Sequence, residues 1–152
     1  MKVFWSWQSD TSGRTGRYFV RDALADAIDA LKADEDIVEP TEREARDALE
    51  LDHDRRGVPG SPDLTATIFR KIDEAAVFVA DVTSVGKTTA DKRLINSNVA
   101  IEFGYAHRSL GDTFILMVQN THYGEREDLP FDLRHKAGPI QFNLRLSWKM
   151  SE

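Results

Sequence analysis

The sequence contains no cysteine. This absence excludes a disulfide framework, a thiolate nucleophile and a thiolate ligand for a metal ion. The four histidines are scattered without His-Glu-x-x-His or other metal-ligand spacing, so we expect no metal site. A chain without disulfides suits the reducing cytoplasm, which is the location that we predict.

Long apolar runs and an excess of positive charge are also missing. The opening residues MKVFWSWQSD lack the apolar core of a secretory signal peptide, and no later run approaches the length of a membrane span. The formal net charge is −6, whereas nucleic-acid binders usually carry a basic patch or stripe. We therefore expect neither a membrane nor a nucleic acid as a partner.

Strand-like and helix-like patterns alternate along the chain, which is typical of a parallel sheet with crossover helices. KVFWSW (2–7) is apolar on both faces apart from Ser6, as expected for a central strand. We predict an α/β fold: a single domain over residues 1–152, which can belong to a larger protein or assembly, with a flavodoxin-like, doubly wound parallel sheet of about five strands and flanking helices. The predicted strands are 2–7, 48–52, 75–82, 113–118 and 139–144. The predicted helices are 14–32, 42–47, a helix capped by Ser61 or Asp63 that ends near Glu74, the helix that contains Glu102, and a short turn within 129–136.

In such a sheet, ligands bind outside the carboxyl ends of the strands. Polar residues that follow the predicted strands should therefore lie together on one rim. They are Gln8, Ser9 and Asp10 after the first strand, His53 and Asp54 after the second, Asp81 and Thr83 after the third, and Asn120 after the fourth.

Glu102 lies in a segment that otherwise looks built for a protein core. At about 100° per residue, Phe103, Ala106 and Leu110 fall within roughly 40° of Val99, and the four residues define a buried stripe. Glu102 lies about 60° from the start of that stripe, with Asn98 and Tyr105 just beyond it. Asn98 is four residues before Glu102, so its amide can hold the carboxylate or a ligand hydroxyl. This pattern alone leaves two interpretations of Glu102. It either stabilises the helix start, by capping or through the helix dipole, or it is a functional carboxylate.

Other motifs leave alternatives open. Ser12–Gly16 either cradles a phosphate, with Arg14 at the helix start, or forms a plain turn and cap. Trp7 is either a core residue or a ring on which a flat ligand stacks. Residues 85–89, VGKTT, resemble the end of a P-loop, but Asp81 occupies the position of the required first glycine.

Three segments together resemble a known protein family. NSNVAIEFGYA (96–106), FVADVT (78–83) and VFWSWQSD (3–10) are similar to the bacterial TIR-like nucleotide-binding proteins. In that family, an Asn-x-Asn-Val-x-x-Glu-x-Gly-Tyr-Ala pattern places the catalytic glutamate on the helix after the third strand, which implies that Glu102 is catalytic. The nucleoside 2-deoxyribosyltransferases are similar in fold and have a related Glu-x-Gly-Tyr-Ala segment.

The resemblance implies cleavage of the nicotinamide N-glycosidic bond of NAD, to ADP-ribose or cyclic ADP-ribose, in bacterial antiviral defence. NAD would be the substrate, with no further cofactor. A nucleoside, whose departing base benefits from protonation, would need a second group, and Asp81 is the candidate for it. It also implies a homo-oligomer or an assembly with a sensor protein, for which Ile101, expected to face outward, is a candidate contact. The loop 52–63 either gates the site or is a plain turn. The alternatives are a nucleoside or nucleotide 2-deoxyribosyltransferase, and a nucleotide-binding or assembly module without catalysis.

Overall fold

The computed structural model describes residues 1–54, 56–60 and 63–147. Within these residues, five parallel strands form one sheet, and their order across it is β2-β1-β3-β4-β5. The strands are β1 (Lys2–Ser6), β2 (Glu50–Asp52), β3 (Ala75–Asp81), β4 (Ile115–Asn120) and β5 (Ile140–Phe142). This is the doubly wound, flavodoxin-like order, so the predicted fold class is confirmed.

The strand order reverses direction beside β1. The chain leaves β1 toward β2 on one side and later returns to β3 on the other, where Phe4 pairs with Phe78 and Ser6 with Ala80. The two crossovers diverge from this point and leave a crevice at the carboxyl end of β1. The fold therefore fixes where a ligand has room to bind.

Helices cover both faces of the sheet. They are α1 (Arg17–Lys32), α2 (Pro40–Asp47), α3 (Leu64–Asp73), α4 (Ser97–Leu110) and the short α5 (Phe131–Arg134). On one face, α1 packs Val20 and Ile28 against Trp5 and Val79. On the other face, α3 and α4 pack against Phe4, Phe78 and Ala80 through Ile72, Val99, Phe103 and Ala106. Because successive strand residues point to opposite faces, both layers of core come from the same strands.

Several boundaries differ from the predicted ones. α1 begins at Arg17 rather than at residue 14, because a short 3-10 helix, Gly13–Thr15, precedes it. α2 begins at Pro40 rather than at residue 42, because proline is favoured in the first turn of a helix, where its missing N–H has no partner to lose. β4 lies two residues later than predicted, so Asn120 ends the strand rather than following it.

The segment between β3 and α4 contains two short strands that were not among the predicted ones. Gly86–Lys87 and Arg93–Leu94 pair as a short antiparallel hairpin. Its turn places Asp91 at a positive φ of 62°, and the Lys87 ammonium lies 2.6 Å from the Asp91 carboxylate. Two-residue strands are too short to show an alternating pattern, which is why sequence periodicity missed them.

Asp63 caps α3, as one of the two predicted alternatives. Its side chain accepts hydrogen bonds from the backbone N–H groups of Thr65 and Ala66 at 3.0 and 3.2 Å. The other alternative, Ser61, lies outside the described residues, as do Arg55 and Pro62 of the loop that we considered as a gate. Among the helices of the described part of the chain, none has the length and apolar character needed to cross a bilayer.

Phe78 lies at the centre of the core, and its truncation tests the packing. It is fully buried and stacks on Phe4 with 5.9 Å between the ring centroids. We expect Phe78→Ala to lower the free energy of unfolding by about 3–5 kcal/mol, because a cavity replaces the ring. The matched control is Phe131→Ala on α5, whose ring is 65% exposed; it should cost less than about 1 kcal/mol. Equal losses in urea unfolding would contradict this assignment of the core.

Candidate functional site

A cleft of about 440 Å³ opens at the carboxyl end of β1, between that strand and helices α3 and α4. It lies at the reversal of strand order, where this fold class binds ligands. Six of the predicted site residues line it: Trp7, Gln8, Ser9, Asp54, Asn98 and Glu102. These six residues, which the sequence predicted from separate segments of the chain, therefore lie together.

Glu102 occupies the wall of the cleft that α4 provides. The helix starts there because the Asn96 side chain caps it, accepting hydrogen bonds from the backbone N–H groups of Asn98 and Val99 at 2.9 and 3.0 Å. Val99 and Phe103 are buried on the core side, as the angular pattern predicted. Glu102 flanks this stripe and is half-buried. The carboxylate thus faces the cleft from the edge of the core.

Ser6 connects the sheet to this carboxylate. It is the last residue of β1, is 2% exposed, and its hydroxyl donates a hydrogen bond to Oε2 of Glu102. Sequence analysis noted Ser6 only as the polar exception in an apolar strand and did not assign it to the site. A buried hydroxyl in a central strand needs a partner, and this requirement was the signal that could have identified it.

Two neighbours and burial set the proton affinity of Glu102. Burial raises the pKa of its carboxyl above the ordinary value, the hydrogen bond from Ser6 lowers the pKa, and the negative charge of Asp54 raises it. Burial is the largest of these effects. Burial therefore outweighs the hydrogen bond from Ser6, and the pKa of Glu102 lies above its ordinary value.

Asp54 reaches the cleft because a buried lysine shapes the loop that follows β2. Lys71 on α3 is only 8% exposed, and its ammonium donates to the Asp52 carboxylate at 3.0 Å. It also donates to the backbone carbonyls of His53 and Arg56 at 2.7 and 2.6 Å. Asp54 lies between these two anchored carbonyls. The ammonium therefore fixes the part of the loop that carries the second acid of the cleft.

Asp81, the predicted second acid, lies elsewhere. It is 1% exposed and does not belong to the lining of the cleft. Its carboxylate accepts hydrogen bonds from the Gln8 side chain at 3.2 Å and from the backbone N–H of Thr83 at 3.0 Å. Burial raises the pKa of Asp81, while the hydrogen bonds from Thr83 and Gln8 lower it. The geometry thus makes Asp81 a support for the loop that follows β1.

Gln8 has the same supporting role, although part of it reaches the cleft. Its amide nitrogen also donates to the Thr11 hydroxyl at 2.8 Å, and its amide oxygen accepts from the backbone N–H groups of Asp10 and Thr11 at 2.7 and 3.0 Å. These bonds hold the turn after β1 in one shape. Because its amide nitrogen and its amide oxygen each already make two hydrogen bonds, Gln8 has few free donors or acceptors for a ligand.

Three other predicted residues do not line the cleft. The Tyr105 hydroxyl donates to Asp73 at 2.8 Å, and its ring stacks on Phe69 with 4.1 Å between centroids, so it joins α4 to α3. Asp10 accepts a hydrogen bond from the Asn96 side chain at 2.7 Å and ties the first loop to the start of α4. Arg14 lies exposed in the 3-10 helix Gly13–Thr15.

The aromatic and apolar lining completes the site. Trp7 is half-buried between the core and the cleft, so both of its predicted roles stay compatible with its place. Ile68 and Phe69 of α3 add apolar side chains to the lining of the cleft. Sequence analysis did not assign them to the site, because their apolar pattern is that of ordinary core residues. Ile101 is 60% exposed, as predicted, and lies at the mouth of the cleft.

Within the described ranges, no group of three or more His, Asp or Glu side chains is arranged to hold a metal ion. No protein-family model matches the chain, and no curated protein matches its sequence. The chemistry of the cleft therefore has to be inferred from its own residues.

Two substitutions beside Glu102 should move its pKa in opposite directions. Ser6→Ala removes a donor that stabilises the ionised carboxylate, so the pKa of Glu102 should rise. Asp54→Asn removes a nearby negative charge, so that pKa should fall. NMR titration of the labelled Glu102 carboxyl carbon measures both shifts, and Ser109→Ala on the same helix is the control. Shifts in the same direction would show that the two contacts are misassigned.

The raised pKa of Glu102 also makes a prediction for stability. Its contribution to stability is fully present below the ordinary pKa of 4.5 and is lost as pH rises through the higher folded value. Glu102→Gln cannot ionise, and its amide oxygen can still accept from Ser6. We expect this variant to unfold at higher urea than the wild type at pH 7, with a difference that shrinks toward pH 4. Glu44→Gln on the exposed face of α2 should show no such difference; equal midpoints of Glu102→Gln and wild type at pH 7 would be the contrary result.

Proposed function

We propose that this protein cleaves the N-glycosidic bond between nicotinamide and ribose in NAD, with Glu102 as the catalytic carboxylate. The observation that carries the proposal is the half-buried Glu102 carboxylate, held by Ser6 in a cleft with aromatic walls at the reversal of strand order. The resemblance of residues 96–106 to TIR-like proteins supports the same substrate. The biological setting that we propose, bacterial antiviral defence, rests on that resemblance.

The reaction suits a single carboxylate. Breaking a ribosyl bond builds positive, oxocarbenium-like charge on the sugar carbon, and a negative oxygen beside that carbon stabilises it. The electron pair of the broken bond leaves with nicotinamide, which changes from a pyridinium cation to a neutral molecule. No acid is needed to protonate this leaving group. Water, or an atom of the adenine for a cyclic product, then bonds to the sugar carbon.

The environment of Glu102 fits this role. Partial burial lowers the local dielectric, so the charge of the ionised carboxylate acts more strongly on a cation than it would in water. The Ser6 hydrogen bond orients the carboxylate from the sheet side and favours its ionised form. Trp7 offers a flat surface for a ring, and Asn98, exposed on the lining one turn before Glu102, offers an amide for ribose hydroxyls.

Asp54 favours a second candidate, the nucleoside 2-deoxyribosyltransferases. Its charge acts on Glu102, so the cleft contains two carboxylates rather than one. A nucleoside expels a poorer leaving group than NAD does, and protonation of the departing base helps it leave. Two carboxylates can divide these roles, one at the sugar carbon and one at the base. In this candidate, Asp54 replaces the Asp81 of our sequence-based expectation.

Release of nicotinamide tests the main proposal. We expect concentrated wild-type protein to release nicotinamide from NAD and Glu102→Gln to do so at least about 100-fold more slowly, because a neutral amide stabilises the cationic transition state poorly. Glu44→Gln, the same change on exposed α2, should keep the wild-type rate. Equal rates in wild type and Glu102→Gln would remove Glu102 from the mechanism.

A parallel assay separates the two candidates. Wild-type protein is incubated with 2′-deoxyadenosine and a second free base, and the exchanged nucleoside is measured. Base exchange without nicotinamide release would favour the transferase, and in that case Asp54→Asn should slow the exchange. Neither reaction, together with nucleotide binding to the wild type, would favour a binding module.

A further inference from the structure

Arginines and aromatic rings gather at the start of α1, next to the cleft. We call Trp7, Arg17, Tyr18 and Arg21 the arginine cluster, and we include Arg14 by its place in the chain, in the 3-10 helix Gly13–Thr15 just before α1. The Arg17 guanidinium carbon lies 4.9 Å from the centroid of the Trp7 ring and 4.7 Å from that of Tyr18, and its Nη2 donates to the Tyr18 hydroxyl at 2.6 Å. Arg21 lies 5.1 Å from the Tyr18 centroid. Trp7 also lines the cleft, so the cluster and the cleft share this ring.

The positive charge of the cluster is not balanced. Arg21 pairs with the Asp22 carboxylate at 3.0 Å. Neither Arg14 nor Arg17 has a carboxylate partner among the residues that the structure describes, and the first turn of α1 contains no acidic residue. Arg17 is half-buried, in a chain whose net charge is −6. A guanidinium that is partly removed from water and lacks a counter-charge suits an anionic ligand.

The local backbone holds this arrangement in place. The four hydrogen bonds of the Gln8 side chain fix the loop that leads from β1 to the cluster. Gly13 lets the Tyr18 ring lie close to that loop, since a Cβ at residue 13 would come within 2.5 Å of the ring. An ordered cluster loses little conformational entropy when it binds a ligand.

We propose that the arginine cluster binds the phosphate groups of a nucleotide whose sugar lies at Glu102. Guanidinium groups bind phosphate oxygens through paired, charge-assisted hydrogen bonds, which a nucleoside cannot supply. The substrate class is therefore a phosphorylated nucleotide, such as a dinucleotide that spans Trp7 from the cleft to the cluster. The position of the sugar rests on the proposed function, and the phosphate preference discriminates against a free nucleoside as substrate.

Binding to a protein that does not turn over tests this site. In a Glu102→Gln background, we would titrate ADP-ribose and adenosine and follow tryptophan fluorescence, with calorimetry as the second measurement. We expect Arg17→Gln and Arg14→Gln each to weaken ADP-ribose binding by about tenfold, because each removes a charge-assisted contact. Adenosine affinity should change less than about twofold, since it lacks the phosphates. Arg108→Gln, an exposed arginine near the end of α4, is the control and should change neither affinity.

The outcomes separate this site from the proposed reaction. Loss of ADP-ribose binding in both arginine variants, with no nicotinamide release by the wild type, would support the phosphate site and count against NAD cleavage. Nicotinamide release by Arg17→Gln and Arg14→Gln with the wild-type KM would overturn the phosphate site and leave the reaction intact. Equal weakening of ADP-ribose and adenosine, or no ADP-ribose binding by the parent protein, would also overturn it. Arg14 is exposed and has no side-chain partner among the described residues, so its variant should fold even where Arg17→Gln does not.

Discussion

Burial of β1 on both faces is the constraint on which the site depends. A strand in the middle of a parallel sheet has helices above and below, so a buried hydroxyl on it is stabilised by a partner inside the protein. Ser6 meets this requirement by donating to Glu102, and the bond joins the end of the sheet to α4. The same end of β1 lies where the strand order reverses, which opens the cleft. One buried hydroxyl thus connects the fold to its candidate chemistry.

The acidic residues near this point differ because their surroundings differ. Asp81 is enclosed and supports the turn after β1 through Gln8, while the backbone N–H of Thr83, just after β3, donates to its other oxygen. Asp54 is brought to the cleft by a loop that folds around the buried ammonium of Lys71. Glu102 remains half-buried with one face open to the cleft. A carboxylate in such a position keeps acceptor sites for a ligand, because its hydrogen bonds do not use all of them. The three acids therefore differ in what they contact because they differ in solvent access, more than because of their residue type.

Sequence patterns predicted the features that depend on periodicity and local chemistry. The apolar runs predicted the parallel strands, and the 3.6-residue period placed Val99 and Phe103 in the core with Glu102 and Asn98 beside them. The ends of the predicted strands placed Asp54 at the same rim. The failures have equally physical reasons. The hairpin at 86–94 is too short for a period, and Asp81 was placed in the site because chain position alone does not show which side chain is enclosed.

The amino-acid sequence by itself determined the element order, the fold class and the identity of Glu102 as the carboxylate to investigate, because these follow from spacing along one chain and from resemblance. Only the tertiary structure decided which groups act on that carboxylate. Ser6 and Glu102 are 96 residues apart, and Asp54 reaches the cleft through Lys71, which lies 17 positions further along the chain. Such contacts depend on how helices pack across the sheet, and local spacing does not encode distances of that kind.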